Sequence, residues 1–140
     1  MDNCVVVKAI YDAGQVADVK SIQALFADDI VLYEASNHPA ILTDPEKRET
    51  PGVWRGLKDV MSGIGKIFGA LNLTGIDVET IVSDGPERVV SVFVLKGIDH
   101  TGAPYSMPGV EVFKVSGGKV KEIRALYFDV ALLNARLGLA

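Results

Sequence analysis

The chain has 140 residues, 49% of them hydrophobic and 23% charged, with a formal net charge of −4. That length supports one domain, residues 1–140, with its own core, and the acidic balance with scattered basic residues (Lys47/Arg48 and Lys119/Lys121 come nearest to clusters) argues against nucleic acid as a partner. Cys4 is alone, so no disulfide within the chain and no thiolate zinc set is expected; no stretch has the length and apolarity of a membrane span, and MDNCVVVKAIYDAG lacks the features of a signal peptide, so a cytoplasmic protein is expected.

Asp2 or Asn3 caps a predicted helix running to about Gln15, with Val5, Val6, Ala9, Ile10, Ala13 and Val16 on one broad stripe. Asp18 caps a second, shorter helix whose apolar positions are Val19, Ile22, Leu25 and Phe26; Asp28-Asp29 ends that pattern. Residues 30–35 read as a buried strand, Ile30, Leu32 and Glu34 on one face and Val31 and Tyr33 on the other. Residues 36–52, holding Asn37, Pro39, Asp44, Pro45, Pro51 and Gly52, read as a long loop of the kind that often forms a rim or lid. After a short strand at Trp54 and Arg55, a third helix is predicted over about Leu57–Leu71, with Val60, Ile64, Ile67, Phe68 and Leu71 inward and Gly63, Gly65 and Gly69 available for close packing. Four strands follow at 73–83, 87–97, 104–115 and 119–129, joined at Asp84-Gly85-Pro86, Asp99-His100-Thr101-Gly102 and Ser116-Gly117-Gly118 as an antiparallel meander. The tail from Ala131 is a short helix or packing segment. A helix-rich front and a strand-rich back make an α+β domain. Val92, Val94, Val110 and Val112 leave the second sheet face apolar as well, and a second copy of the chain is its simplest cover, which predicts a homodimer.

This order of elements resembles the NTF2-like cone, a curved, mostly antiparallel sheet wrapped around three N-terminal helices. Within that fold the chain is similar to the SnoaL-like polyketide cyclases and the ketosteroid isomerases, through LFADDIVLYEA (25–35), PGVWRGLKDV (51–60), VEVFKVSGGKVKEI (110–123) and ALYFDV (125–130). The resemblance implies a pocket for a small hydrophobic or carbonyl-containing molecule, with no cofactor. One scaffold of this kind carries many reactions, so it speaks to fold more than to chemistry.

Glu34 ends a strand face otherwise made of Ile30 and Leu32, where desolvation raises a carboxyl toward the range of a general base. Counted from ALFADD, it falls where the isomerases keep their proton-shuttling carboxylate, although they use Asp; the alternative is a rim carboxylate in water or paired with lysine. Glu111 shares its strand face with Phe113 and Val115, and a charge there must protonate or find a partner. With a one-residue deletion in the hairpin it aligns with the isomerases' second acid, kept neutral to donate a hydrogen bond; the alternative is a structural acid held by Arg55 or a backbone donor. The isomerases' helix-1 tyrosine aligns with Ile10. Tyr11, one residue or about 100° further round, is expected to swing off that face. Tyr127 is a substitute phenol or a core tyrosine.

His38, four residues past Glu34, reads as a second base or a substrate-orienting group at the mouth, or as simply solvated. Trp54 is expected to wall the pocket together with Ile10, Leu32 and Phe113. Asp129 reads as a cap for the tail, the alternative being a group that reaches a ligand, and His100 as a turn residue; two histidines so far apart argue against a metal site. Three functions remain open: an isomerase or cyclase in which Glu34 abstracts a proton beside a carbonyl and Glu111, with Tyr127, steadies the enolate; a binding protein with the same pocket and no turnover; or a dimeric association module with a filled core.

Overall fold

Asp2 does cap the first helix, α1 (Asn3–Gln15), its side chain accepting the Cys4 N–H at 2.9 Å. Asp18 caps α2 (Val19–Ala24) in the same way through Ser21. The structure, a computed structural model, describes residues 2–44 and 52–139. The remainder follows as β1 (Phe26–Tyr33), α3 (Pro39–Leu42), β2 (Val53–Arg55), α4 (Leu57–Leu71), β3 (Leu73–Asp84), β4 (Arg88–Ile98), β5 (Pro104–Ser116), β6 (Lys119–Tyr127) and α5 (Val130–Arg136). Asp129 caps α5 by accepting the Leu132 N–H at 2.9 Å. No helix among the described residues is long and apolar enough to cross a membrane.

The six strands form one mixed sheet in the order β2-β1-β6-β5-β4-β3, antiparallel throughout except where β1 runs parallel to β6. The predicted meander is β3 to β6. Its alternation is plain in β4, where Val89, Ser91, Phe93, Leu95 and Gly97 are buried while Val90, Val92 and Val94 are half-buried. The inner face wraps around α1, α2 and α4 and carries the core, including Ile30, Leu32, Phe93, Phe113 and Ile123.

Two boundaries differ from the sequence reading. β1 starts at Phe26, which the helical stripe claimed, because the strand is bulged: its register with β6 shifts between Phe26 and Val31, and Asp28 and Asp29 stand exposed there. The predicted loop contains α3, a fourth N-terminal helix, whose Pro39, Ala40 and Ile41 are buried. The remainder of that loop, 45–51 with Pro45, Lys47, Arg48 and Pro51, lies outside the described residues.

Of the three glycines in α4, Gly63 provides the close approach: a Cβ there would sit 2.8 Å from the Trp54 ring, whereas Gly65 and Gly69 face open space. Trp54 therefore packs against α4, 2% exposed, and is a core residue rather than a pocket wall. Arg55 is exposed in β2.

Candidate functional site

Between the inner sheet face, α1 and α4 lies a cavity of about 280 Å³. That is near the small end of the roughly 300–1,000 Å³ typical of ligand pockets. Ile10, Leu32, Phe113, Glu34, Glu111 and Tyr127 all line it, as do Tyr11 and Phe93. No Lys, Arg or His is among the described lining residues. A Cβ on Gly109 would come within 2.7 Å of the Phe93 ring, so the missing side chain on β5 makes room for that aromatic floor.

Register explains how the polar groups converge. Period-2 alternation puts Glu111 on the inner face of β5, directly opposite Ser91 on β4 and Ala125 on β6. Tyr127 lies two residues beyond Ala125 on that same face. The parallel β1–β6 pairing, with Leu32 opposite Ile123 and Tyr33 opposite Arg124, brings Glu34 up beside them. Tyr127 Oη donates to Glu34 Oε2 at 3.2 Å.

Tyr11 corrects the sequence reading. Its phenol points inward and donates to Glu111 Oε1 at 2.6 Å, with Ser91 Oγ 2.5 Å away on the other side. A phenol has one proton; when it goes to Glu111, the Ser91 hydroxyl donates to Tyr11. The 100° argument fails because α1 sits inside the curve of the sheet and touches β3, β4 and β5, so its buried arc spans neighbouring stripes. Val7 and Tyr11, one turn apart, are buried alongside Val6, and Ile10 still lines the cavity. The Tyr11 ring meets Phe113 edge-on at 6.1 Å, a contact worth about 0.5–1.5 kcal/mol. Among the described residues Glu111 is thus held by a phenol, and not by Arg55 or a backbone donor. The signal for Tyr11 was present in its i,i+4 spacing from Val7; Ser91 was hidden as an ordinary polar residue in a valine-rich strand.

His38 is also not where the sequence reading put it. It is fully buried, behind Glu34 rather than at a solvated mouth, and is not among the cavity-lining residues. Its Nδ1 accepts the Ala40 N–H at 3.0 Å as the cap of α3. Burial lowers its pKa to about 4, so the ring is neutral at physiological pH.

Burial raises the pKa of both carboxyls. Glu34 goes well above the usual range, first through desolvation and then through the nearby Glu111, with the Tyr127 hydrogen bond opposing; Glu111 rises through desolvation, opposed by Tyr11. Both phenols are pushed up by burial and by these carboxyls. Each acid in the one apolar cavity opposes the other's ionisation, so the pair titrates as a unit, and the first charge it takes on is shared between the two. The shorter hydrogen bond from Tyr11 favours that charge on Glu111 in the free protein. Among the described residues no group of three or more His, Cys, Asp or Glu side chains is placed to hold a metal ion.

The fold matches solved structures over nearly its whole length. An NTF2-like protein of unknown function from Burkholderia pseudomallei superposes with a TM-score of 0.77 at 16% identity, covering 98% of both chains. TerC, co-crystallised with polyporic acid, gives a TM-score of 0.76 at 16% identity and covers 99% of both chains. A protein of ketosteroid isomerase-like fold from Catenulispora acidiphila, in complex with trimethylamine, gives 0.71 at 14% identity and covers 96% of this chain and 93% of its own. No match is found among curated proteins. The family profile of the SnoaL-like domain matches residues 7–123, the stretch that carries both glutamates and Tyr11, and the chain therefore belongs to the SnoaL-like family within the NTF2-like, ketosteroid isomerase-like fold.

Proposed function

We propose that this chain is a cofactor-independent enzyme of the isomerase or cyclase type, moving a proton next to the carbonyl of a small uncharged molecule. One observation carries the reading: two carboxyls, each hydrogen-bonded to its own phenol, share one apolar cavity. A carbonyl oxygen docked at Glu111 needs a donor, which draws the shared proton to Glu111 and leaves the charge on Glu34. Glu111 then accepts from Tyr11 on one oxygen and donates its own proton to the ligand from the other. The Glu34 carboxylate takes the α-proton, the C–H electron pair moves into the carbonyl, and the enolate oxygen is held by Glu111. The site carries one negative charge before and after, so nothing needs to leave or enter.

The absence of cationic side chains from the described lining supports an uncharged ligand, because a carboxylate or phosphate would add a second buried charge with no partner. The test is α-proton exchange in D₂O, followed by NMR, for uncharged cyclic ketones and their carboxylate derivatives. Exchange well above the buffer rate is expected for the uncharged set. Ketones that bind in the cavity without exchanging would make the protein a binder and sink the enzymatic reading.

A homodimer through the outer sheet face is part of the proposal. Val92 lies opposite Val110, Val90 opposite Val112 and Val110 opposite Leu126, and Leu126 is 61% exposed. Such a continuous apolar face is ordinarily covered. Sedimentation is expected to give a dimer that Val92→Glu converts to a folded monomer; a monomeric wild type refutes it.

A further inference from the structure

His38 is a buried titratable side chain that the proposed reaction leaves without a role. Its geometry is over-determined. The Glu34 N–H donates to Gly52 O at 2.7 Å, the His38 N–H donates to Ala35 O at 2.9 Å, and Asn134 Nδ2 on α5 donates to Asn37 O at 2.8 Å. The first and last of these bonds tie the segment that carries both Glu34 and His38 to Gly52, just ahead of β2, and to α5.

Because Nδ1 accepts the Ala40 N–H, that nitrogen carries no proton, and the neutral ring holds its proton on Nε2. Nε2 lies 4.0 Å from Glu34 Oε1. Both atoms are enclosed, and neither has another hydrogen-bond partner among the described residues. The ring itself leans against Tyr127, centroid to centroid 5.3 Å, and Tyr127 addresses the other oxygen of the same carboxyl. Glu34 therefore faces two donors, one for each oxygen, plus the carboxyl of Glu111 from β5.

At 4.0 Å the His38 contact is too long for a hydrogen bond, and a movement of about 1 Å would bring it into range. Hydrogen bonds to catalytic groups are often long before the reacting state is reached. A long contact is also what a neutral Glu34 would show, with the shared charge on Glu111.

We propose that His38 is a positioning residue for Glu34, its Nε2–H closing onto Oε1 when the charge moves to Glu34 and so orienting and stabilising the carboxylate that abstracts the proton. This rests on the reading of Glu34 as the base. It also excludes His38 as a second base: protonating Nδ1 would break the α3 cap, and burial already disfavours the imidazolium. The imidazole acts as a donor that offsets part of the burial cost of the charged Glu34.

The experiment combines ¹⁵N NMR of the imidazole with ¹³C titration of the Glu34 carboxyl. In the wild type the Nε2–H tautomer is expected from pH 5 upward, with the Nε2 proton moving downfield as Glu34 ionises. Glu111→Gln removes the coupled acid, so that the Glu34 midpoint belongs to one group. Adding His38→Asn keeps a capping side chain on α3 but takes away the reach, and the Glu34 midpoint is expected to rise by about one pH unit. An Nδ1–H tautomer, an imidazolium at neutral pH, a Glu34 that never ionises, or an unmoved midpoint in the folded double variant would overturn the proposal. Should the double variant fail to fold, the wild-type Nε2 proton shift decides alone. None of these readouts needs a substrate, so a failure of ketone exchange counts against the enzymatic reading and leaves the contact between His38 and Glu34 standing.

Discussion

Glu34→Gln is expected to slow α-proton exchange by about 10²–10⁴-fold, the usual worth of a positioned general base, while ketone binding in the cavity persists. The amide keeps the size of the carboxyl and can still accept from Tyr127, so the cavity and its hydrogen bonds survive. What disappears is a basic oxygen. Glu111 separates the two roles. Glu111→Leu removes the donor to the enolate oxygen and leaves Tyr11 to donate to Ser91, with an expected loss of about 10²–10³-fold, whereas Glu111→Gln retains an N–H donor and is expected to lose less. Rates from the same NMR exchange assay, with binding followed through the lining methyl groups, give both numbers. Equal rates for wild type and Glu34→Gln would remove Glu34 from the chemistry.

The two buried carboxyls are expected to make conformational stability fall as the pH rises from the ordinary carboxylate range, the reverse of the usual behaviour of carboxylates. The sign follows from the direction of each shift. Glu34 and Glu111 have folded pKa values above the unfolded value near 4.5, so between that value and the folded one the native state holds more protons than the unfolded chain. Their contribution is fully present below about pH 4.5 and is lost as the pH climbs through the folded pKa, at up to about 1.4 kcal/mol per pH unit for each titrating group. His38 runs the other way. Its folded pKa of about 4 lies below the unfolded 6.5, so its contribution is complete above 6.5 and is lost as the pH falls toward 4. The opposing slopes overlap between 4.5 and 6.5 and leave the glutamates alone above that. Urea unfolding from pH 5 to 9 should show the decline, and Glu34→Gln or Glu111→Gln should flatten it and raise stability at the alkaline end. A wild-type profile that neither Glu34→Gln nor Glu111→Gln alters would mean that the carboxyls are not held as the cavity implies.

Strand faces were legible in the residues themselves, helix faces less so: Val5, Val16 and Phe68, predicted on apolar stripes, are exposed. Period-2 spacing puts Glu34 with Ile30 and Leu32, and Glu111 with Phe113, and those side chains share the inner face. Asp2, Asp18 and Asp129 announce the helix starts because a short acceptor side chain before an apolar stripe satisfies free N–H groups whatever lies beyond. These are local properties, set within a few residues of chain. The site depended on contacts that no local pattern encodes. Alternation says which face a strand presents and not which strand it joins; the parallel pairing of β1 with β6 is what puts Tyr127 on Glu34. Spacing along α1 fixes angles between its residues and not the rotation of the helix in the curved sheet, and that rotation delivers Tyr11 to Glu111. His38 reads as a loop residue until α3 folds against the core and buries it behind Glu34. Most elements, the strand faces and the two acids are thus local properties of the residues; which phenol serves which acid, and the fold of the segment that holds His38, depend on burial and pairing across long stretches of chain, which exist only once the sheet has closed around the helices.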